Sequence, residues 1–129
     1  METQQIQKIG LLCIENGKLL VVYKKNIGVY ITPGGKIEPS ETDEDCLERE
    51  IREEIGCCIK NIEHFGTFRT DSLQQKCYFG KLEGNITLNP EDTITGYRWI
   101  DRNYDRQSIP LGPMLKDQII PELMKRGLM

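Results

Sequence analysis

Apolar and polar residues change their period several times along the chain, and each change predicts an element. Ile6 to Ile14 and Lys18 to Tyr23 are runs rich in Ile, Leu and Val, the composition of extended strands. Asn16-Gly17 between them predicts a tight hairpin, because both residues tolerate positive φ. Tyr30 and Ile31 form a short extended piece that runs into the turn sequence Pro33-Gly34-Gly35. The period then switches. Leu47, Ile51 and Ile55 recur at i, i+4 and i+8, which is the core-facing stripe of a helix. Thr42 is its expected N-cap, Asp43, Glu44 and Asp45 occupy the first turn where the helix dipole favours negative charge, and Gly56 is the expected C-terminal stop. Strands follow at about Ile59 to Thr70 and Gln75 to Leu82, the second ending in a Gly84-Asn85 turn, and another at Ile94 to Ile100, which carries Trp99. Asp101 to Leu111 reads as a loop. Pro113 to Arg126 reads as a helix with Leu115, Ile119 and Leu123 at four-residue intervals, kinked or interrupted at Pro121.

The order β, β, loop-helix, β, β, β, helix predicts an α/β class with a mixed sheet and helices packed against it. No repeat, low-complexity tract or linker divides the chain, so its 129 residues are expected to form one domain, 1–129. No stretch approaches the length of a membrane span. Met1 to Lys8 is polar and lacks the apolar region of a signal peptide, so a cytoplasmic location is expected. Five cysteines (Cys13, Cys46, Cys57, Cys58 and Cys77) show no disulfide-framework spacing and are expected to be reduced and mostly buried. Cys57, Cys58 and the single His64 are too few for a zinc site, and His64, in a predicted strand, reads as structural.

Charge changes the picture. The formal net charge is −3, yet residues 38–54 hold nine acids against two bases, Arg49 and Arg52. A solvated acidic helix would account for such a run. The positions argue for more: Glu50, Glu53 and Glu54 fall within an arc of about 100° on one helix face. Like charges so close repel, and a hard divalent cation with oxygen ligands compensates them. The remainder of the chain is basic, which suits an anionic phosphate substrate. No basic stripe or recognition motif for duplex nucleic acid is present.

Gly35, Glu41, Arg49, Glu50, Ile51, Glu53, Glu54 and Gly56 match the Nudix box, G-x5-E-x7-R-E-U-x-E-E-x-G-U, where U is a bulky aliphatic residue. Only the last position departs, with Cys57 as a small apolar substitute. The chain resembles a small MutT-type Nudix hydrolase over nearly its whole length. That resemblance implies an α/β/α sandwich with a mixed sheet, and hydrolysis of a diphosphate bond with Mg²⁺, or Mn²⁺, as cofactor. It implies that Glu50, Glu53 and Glu54 ligate metal together with the backbone carbonyl of Gly34, and that Arg49 braces a box glutamate. Glu41 is expected to hydrogen-bond within its loop or to act outside the metal's own ligands. Family members take their general base from the box, here Glu50 or Glu53, or from a later loop, here Glu91 or Asp92 in Asn89-Pro90-Glu91-Asp92; the same residues also read as an ordinary turn. Lys24 and Lys25 match a region where basic residues meet substrate phosphates, or they are solvated lysines. Tyr30, Phe79 and Trp99 are candidates to stack on a base, or members of the core.

Ser72 stands where a proline marks many ADP-ribose enzymes, and Leu73, Gln74 and Gln75 stand where a tyrosine marks many dinucleoside polyphosphate enzymes. Neither the NADH-type motif nor the coenzyme A motif is present. What remains is the MutT-like group that acts on nucleoside triphosphates, an oxidised purine deoxynucleotide among the options, and that resemblance implies release of a monophosphate and pyrophosphate. The alternatives are another nucleoside diphosphate derivative (a dinucleoside polyphosphate or nucleotide sugar) and a non-catalytic nucleotide-binding module. The intact box stands against the last. The expected partner is a nucleotide, with neither duplex nucleic acid nor membrane, and the expected assembly is a monomer or homodimer.

Overall fold

The apolar run from Ile6 to Ile14 does not form one strand. In the computed structural model, which describes residues 5–129, it breaks at the buried Cys13 into β1 (Ile6–Leu12) and β2 (Ile14–Glu15), and the two belong to different sheets. The cause is pairing. Residues 14–15 must follow β3 (Lys18–Lys24) through the two-residue turn, where Asn16 and Gly17 take φ of 53° and 75° and Glu15 faces Lys18. β1 is bonded on both edges elsewhere. Met1 to Gln4, part of the polar N-terminal stretch read above, lies outside the described residues.

The mixed sheet runs in the order β5 (Gly34–Lys36), β1, β7 (Leu73–Glu83), β6 (Cys58–Arg69). β1 and β7 are parallel, from Ile6 opposite Leu73 to Leu12 opposite Phe79, and the other pairs are antiparallel. This parallel register draws the start of β7 two residues ahead of the expected Gln75. In the second sheet β3 pairs with β2, β4 (Val29–Ile31) and β8 (Ile94–Ile100), all antiparallel.

α1 (Asp43–Ile55) forms as expected. The Thr42 side chain accepts a hydrogen bond from the Asp45 N–H at 3.1 Å, and Gly56 closes the helix at φ 69° with its N–H on the Arg52 carbonyl. Leu47, Ile51 and Ile55 are fully buried. They pack with Ile9, Leu11, Leu20 and Val22 in one core. Leu12, Leu19 and Val21, which alternate with those strand residues, point the other way into a second core with Leu115, Ile119, Ile120 and Leu123. The strands are therefore the middle layer between two helical layers, the expected α/β/α sandwich.

The C-terminal helix differs in detail. Leu115–Ile119 is a π turn that leads into α2 (Ile120–Lys125), and the Ile120 N–H bonds the Leu115 carbonyl five residues back. Pro121 has no N–H to give, and the expected interruption takes the form of this wider turn directly before it. The expected loop 101–111 carries a 3₁₀ turn at Tyr104–Gln107 and bridges Leu111 to Tyr30. Four cysteines are buried, Cys58 is exposed, and all five are free thiols. His64 lies exposed on β6, edge-on to the Tyr78 ring at 5.1 Å. Tyr78 Oη and Lys76 Nζ both donate to the Asp43 carboxylate, which ties the start of α1 to the mixed sheet. No helix of the described residues is long and apolar enough to cross a membrane.

Candidate active site

Gly34 and Gly35, expected in a turn, instead open the strand β5 along β1, and neither leaves room for a side chain. Gly34 has φ 148°, and a Cβ there would strike the Ile9 carbonyl; a Cβ on Gly35 would overlap the Glu50 carboxylate. The two glycines thus let the backbone of β5 lie flush against the acidic face of the helix.

Glu54 is 9% exposed, and its Oε1 accepts the Gly34 N–H at 2.8 Å. Burial pushes its carboxyl up to about 8; the Gly34 bond opposes the shift, while the charges of Glu50 and Asp92 add to it. Burial also raises Glu50, against the pull of Arg49. Glu53 is more open, with 57% of its side chain exposed. Arg49 holds the group together. Its Nε and Nη2 donate to the two oxygens of Glu41 at 2.7 and 2.9 Å, and Nη1 reaches Glu50 at 2.9 Å and Glu53 at 3.2 Å. That fork holds the Glu41 carboxyl down at about 2. Glu41 also accepts the Glu38 N–H within its own loop.

These groups open on a cavity of about 360 Å³. Glu50, Glu53, Glu54 and Asp92 share its wall with Lys8, Lys24 and Lys36. A second cavity of about 300 Å³ adjoins it and is largely apolar, with Val29, Leu73, Met114, Leu115 and Ile119 in its wall. Lys8, Lys24, Ile31, Thr32 and Gln75 line both.

The structure therefore gathers Gly34, Glu50, Glu53, Glu54 and Lys24 at one place, and Arg49 behind them. It does not bring in the other candidates. Lys25 is exposed and outside both walls, with its N–H on the Thr93 carbonyl. Glu91 is exposed in its turn, where its N–H donates to Asn89 Oδ1; its neighbour Asp92 is the acid on the cavity wall. Tyr30 packs on Tyr23, with ring centroids 5.1 Å apart, and on the second core. Phe79 lies edge-on to Phe65, and Trp99 packs against the first core. Sequence reasoning missed Lys8, Lys36, Thr32 and Gln75. The available signal was a lysine and a glutamine inside strand patterns and a lysine directly after the glycine pair.

Among the described residues no three carboxylate, thiol or imidazole groups already stand as a cation cage. Without a cation, Arg49 is bonded to oxygens of Glu50 and Glu53, and the Gly34 N–H to one of Glu54. The donor set still fits a hard divalent ion: it consists of carboxylate oxygens in one cavity, one of them so buried among like charges that it holds a proton without a cation. A pH dependence follows for the metal-free protein. The unfolded chain releases the Glu54 proton near the ordinary 4.5, and the folded protein keeps it to about 8. The contribution of this group is then full below about 4.5 and declines as pH rises to about 8. Melting temperatures across this range should fall for the wild type, and Glu54→Gln should flatten the slope. A wild-type profile without slope would contradict the burial argument.

The family profile described as NUDIX domain matches residues 6–108, and the chain belongs to the Nudix hydrolase family, enzymes that generally use divalent cations. A Bacillus subtilis protein provisionally named 8-oxo-dGTP diphosphatase YtkD is 30% identical over 125 residues, covering 92% of this chain and 78% of that protein. The NAD-capped RNA hydrolase NudC of Pseudomonas putida is 33% identical over 104 residues, which is 78% of this chain. The chain spans only 37% of that NudC protein's length. The MutT structure described for Aliivibrio salmonicida and Vibrio cholerae superposes with a TM-score of 0.73 at 19% identity, covering 93% of this chain and 96% of that one.

Proposed function

We propose that the protein hydrolyses a nucleoside triphosphate, with Mg²⁺ or Mn²⁺, to a nucleoside monophosphate and pyrophosphate. One observation carries this reading: a cavity of carboxylates and lysines shares five wall residues with an apolar cavity, so a ligand with a polyanionic end and a flat apolar end fits across both. Lys8, Lys24 and Lys36 receive phosphate oxygens. Glu50, Glu53 and Glu54, with the Gly34 carbonyl, would hold the cation. Bound there, a divalent ion supplies neutralisation of phosphoryl oxygens and a lowered pKa for the attacking water. Arg49 holds Glu50 and Glu53 in place and keeps Glu41 ionised. The water's proton passes to a carboxylate of the same cavity, Glu53 of the box or Asp92 of the loop.

The likeness to NudC supports a second reading, in which the substrate is a dinucleotide diphosphate such as an NAD cap. A hydrolysis panel separates the two. It would compare nucleoside triphosphates (8-oxo-dGTP among them), dinucleoside polyphosphates, nucleotide sugars and NAD-capped RNA, with product identification. Monophosphate plus pyrophosphate from a triphosphate is the expected result. Orthophosphate plus a nucleoside diphosphate would overturn the cleavage site, and preferred turnover of a dinucleotide would move the protein to the second reading.

A further inference from the structure

Gln75 stands where the two cavities meet. It lines both and is 9% exposed. β7 sets it beside Lys8 of β1 in parallel register. Its side chain is seated over Gly10, where a Cβ would lie 2.9 Å from Thr32 Oγ1 and closer still to Gln75 Nε2. The amide nitrogen is committed: Nε2 donates to Thr32 Oγ1 at 2.9 Å and to Cys77 Sγ at 3.4 Å. In this orientation the amide nitrogen faces Thr32 and Cys77. Its carbonyl oxygen Oε1 takes no hydrogen bond from the described residues, and no fully buried side-chain oxygen or nitrogen lacks a partner. Oε1 therefore keeps accessible surface, on a side chain that lines both cavities, and a carbonyl oxygen only accepts.

A nucleotide laid across the site leaves little choice of donor. With the phosphates among the lysines and the base against the apolar wall, the sugar spans the junction, because it is the covalent link between them. Ionised phosphate oxygens donate nothing, and the junction lysines Lys8 and Lys24, donors themselves, are drawn to the phosphates by charge. Sugar hydroxyls are the donors at that place. We propose that Gln75 reads the sugar, its Oε1 accepting a hydrogen bond from a ribose hydroxyl. This assignment rests on the nucleotide reading above and adds to it a specificity-determining residue.

The test is kcat/KM for the ribo-, 2′-deoxy- and 2′,3′-dideoxynucleoside triphosphates of one base, measured on wild type and variants. The wild type is expected to lose roughly tenfold at one step of the series, the worth of one hydrogen bond. Gln75→Met has similar length and no acceptor oxygen, and should abolish that step. Gln75→Glu keeps acceptor oxygens and should retain the step, although its charge weakens binding of all three substrates. Thr32→Val frees the amide to turn and should shrink the step, which keeps the test decisive if Gln75→Met fails to fold. Equal treatment of the three substrates by the wild type, or an unchanged step in Gln75→Met or in a folded Thr32→Val, overturns the role of Gln75. Absence of turnover on every nucleoside triphosphate overturns the nucleotide reading and this assignment with it.

Discussion

Replacing Glu53 with glutamine is expected to lower kcat by about 100-fold or more, with the melting temperature little changed. The change removes one negative charge from the cavity and keeps the side chain's size. Because 57% of this side chain is exposed, packing plays little part in its role. Glu41→Gln is expected to be milder, roughly tenfold, as is common for a residue that acts through a neighbour. Glu41 is absent from the cavity wall and reaches the other carboxylates only through the Arg49 fork. Steady-state kinetics at saturating metal, with thermal melts as the folding control, compare the two. Equal and small losses would contradict the assignment of Glu53 as a ligand or base.

What could be read from the sequence was local. α1, its Thr42 cap, its Gly56 stop and its buried stripe all follow from spacing within 15 residues, and so does the acidic face. The Asn16-Gly17 hairpin is equally local. The change of sheet at Cys13 was not legible, because an apolar strand pattern carries no label for the edge it will pair with. Glu91 and Asp92 could not be ranked either. They are adjacent acids, and the turn set by Asn89, which accepts the Glu91 N–H on its side chain and the Asp92 N–H on its carbonyl, leaves Asp92 as the one on the wall. Lys8 and Gln75 are brought together only by the parallel register of β1 and β7, a contact between residues far apart in the chain. The aromatic candidates stayed open in the sequence because stacking on a base and packing in a core ask for the same side chains; Tyr30 and Phe79 have ring partners of their own.

Chelation of divalent ions is expected to reduce turnover to background while leaving one cooperative thermal transition. The two outcomes have separate physical origins. On the proposed mechanism activity needs positive charge among Glu50, Glu53, Glu54 and the substrate phosphates, and Lys8, Lys24 and Lys36 alone would not supply an activated water. The fold needs none of this. α1 is anchored by the fully buried Leu47, Ile51 and Ile55, by its Thr42 cap and by the Asp43 contacts with Lys76 and Tyr78. Repulsion among the box carboxylates is relieved without a cation in two ways: Arg49 lies between Glu41, Glu50 and Glu53, and Glu54 holds its proton to about 8. Added metal should then raise the melting temperature by linkage, because it binds the folded state only. Ile51→Ala should act through the other origin. It opens a cavity under α1 and costs about 2–5 kcal/mol, a large part of the roughly 5–15 kcal/mol that holds a domain folded. Calorimetry and denaturant unfolding of metal-free protein, metal-loaded protein and Ile51→Ala check the argument. A metal-free form without a cooperative transition would make the ion structural, and full activity after rigorous chelation would remove the metal from the mechanism.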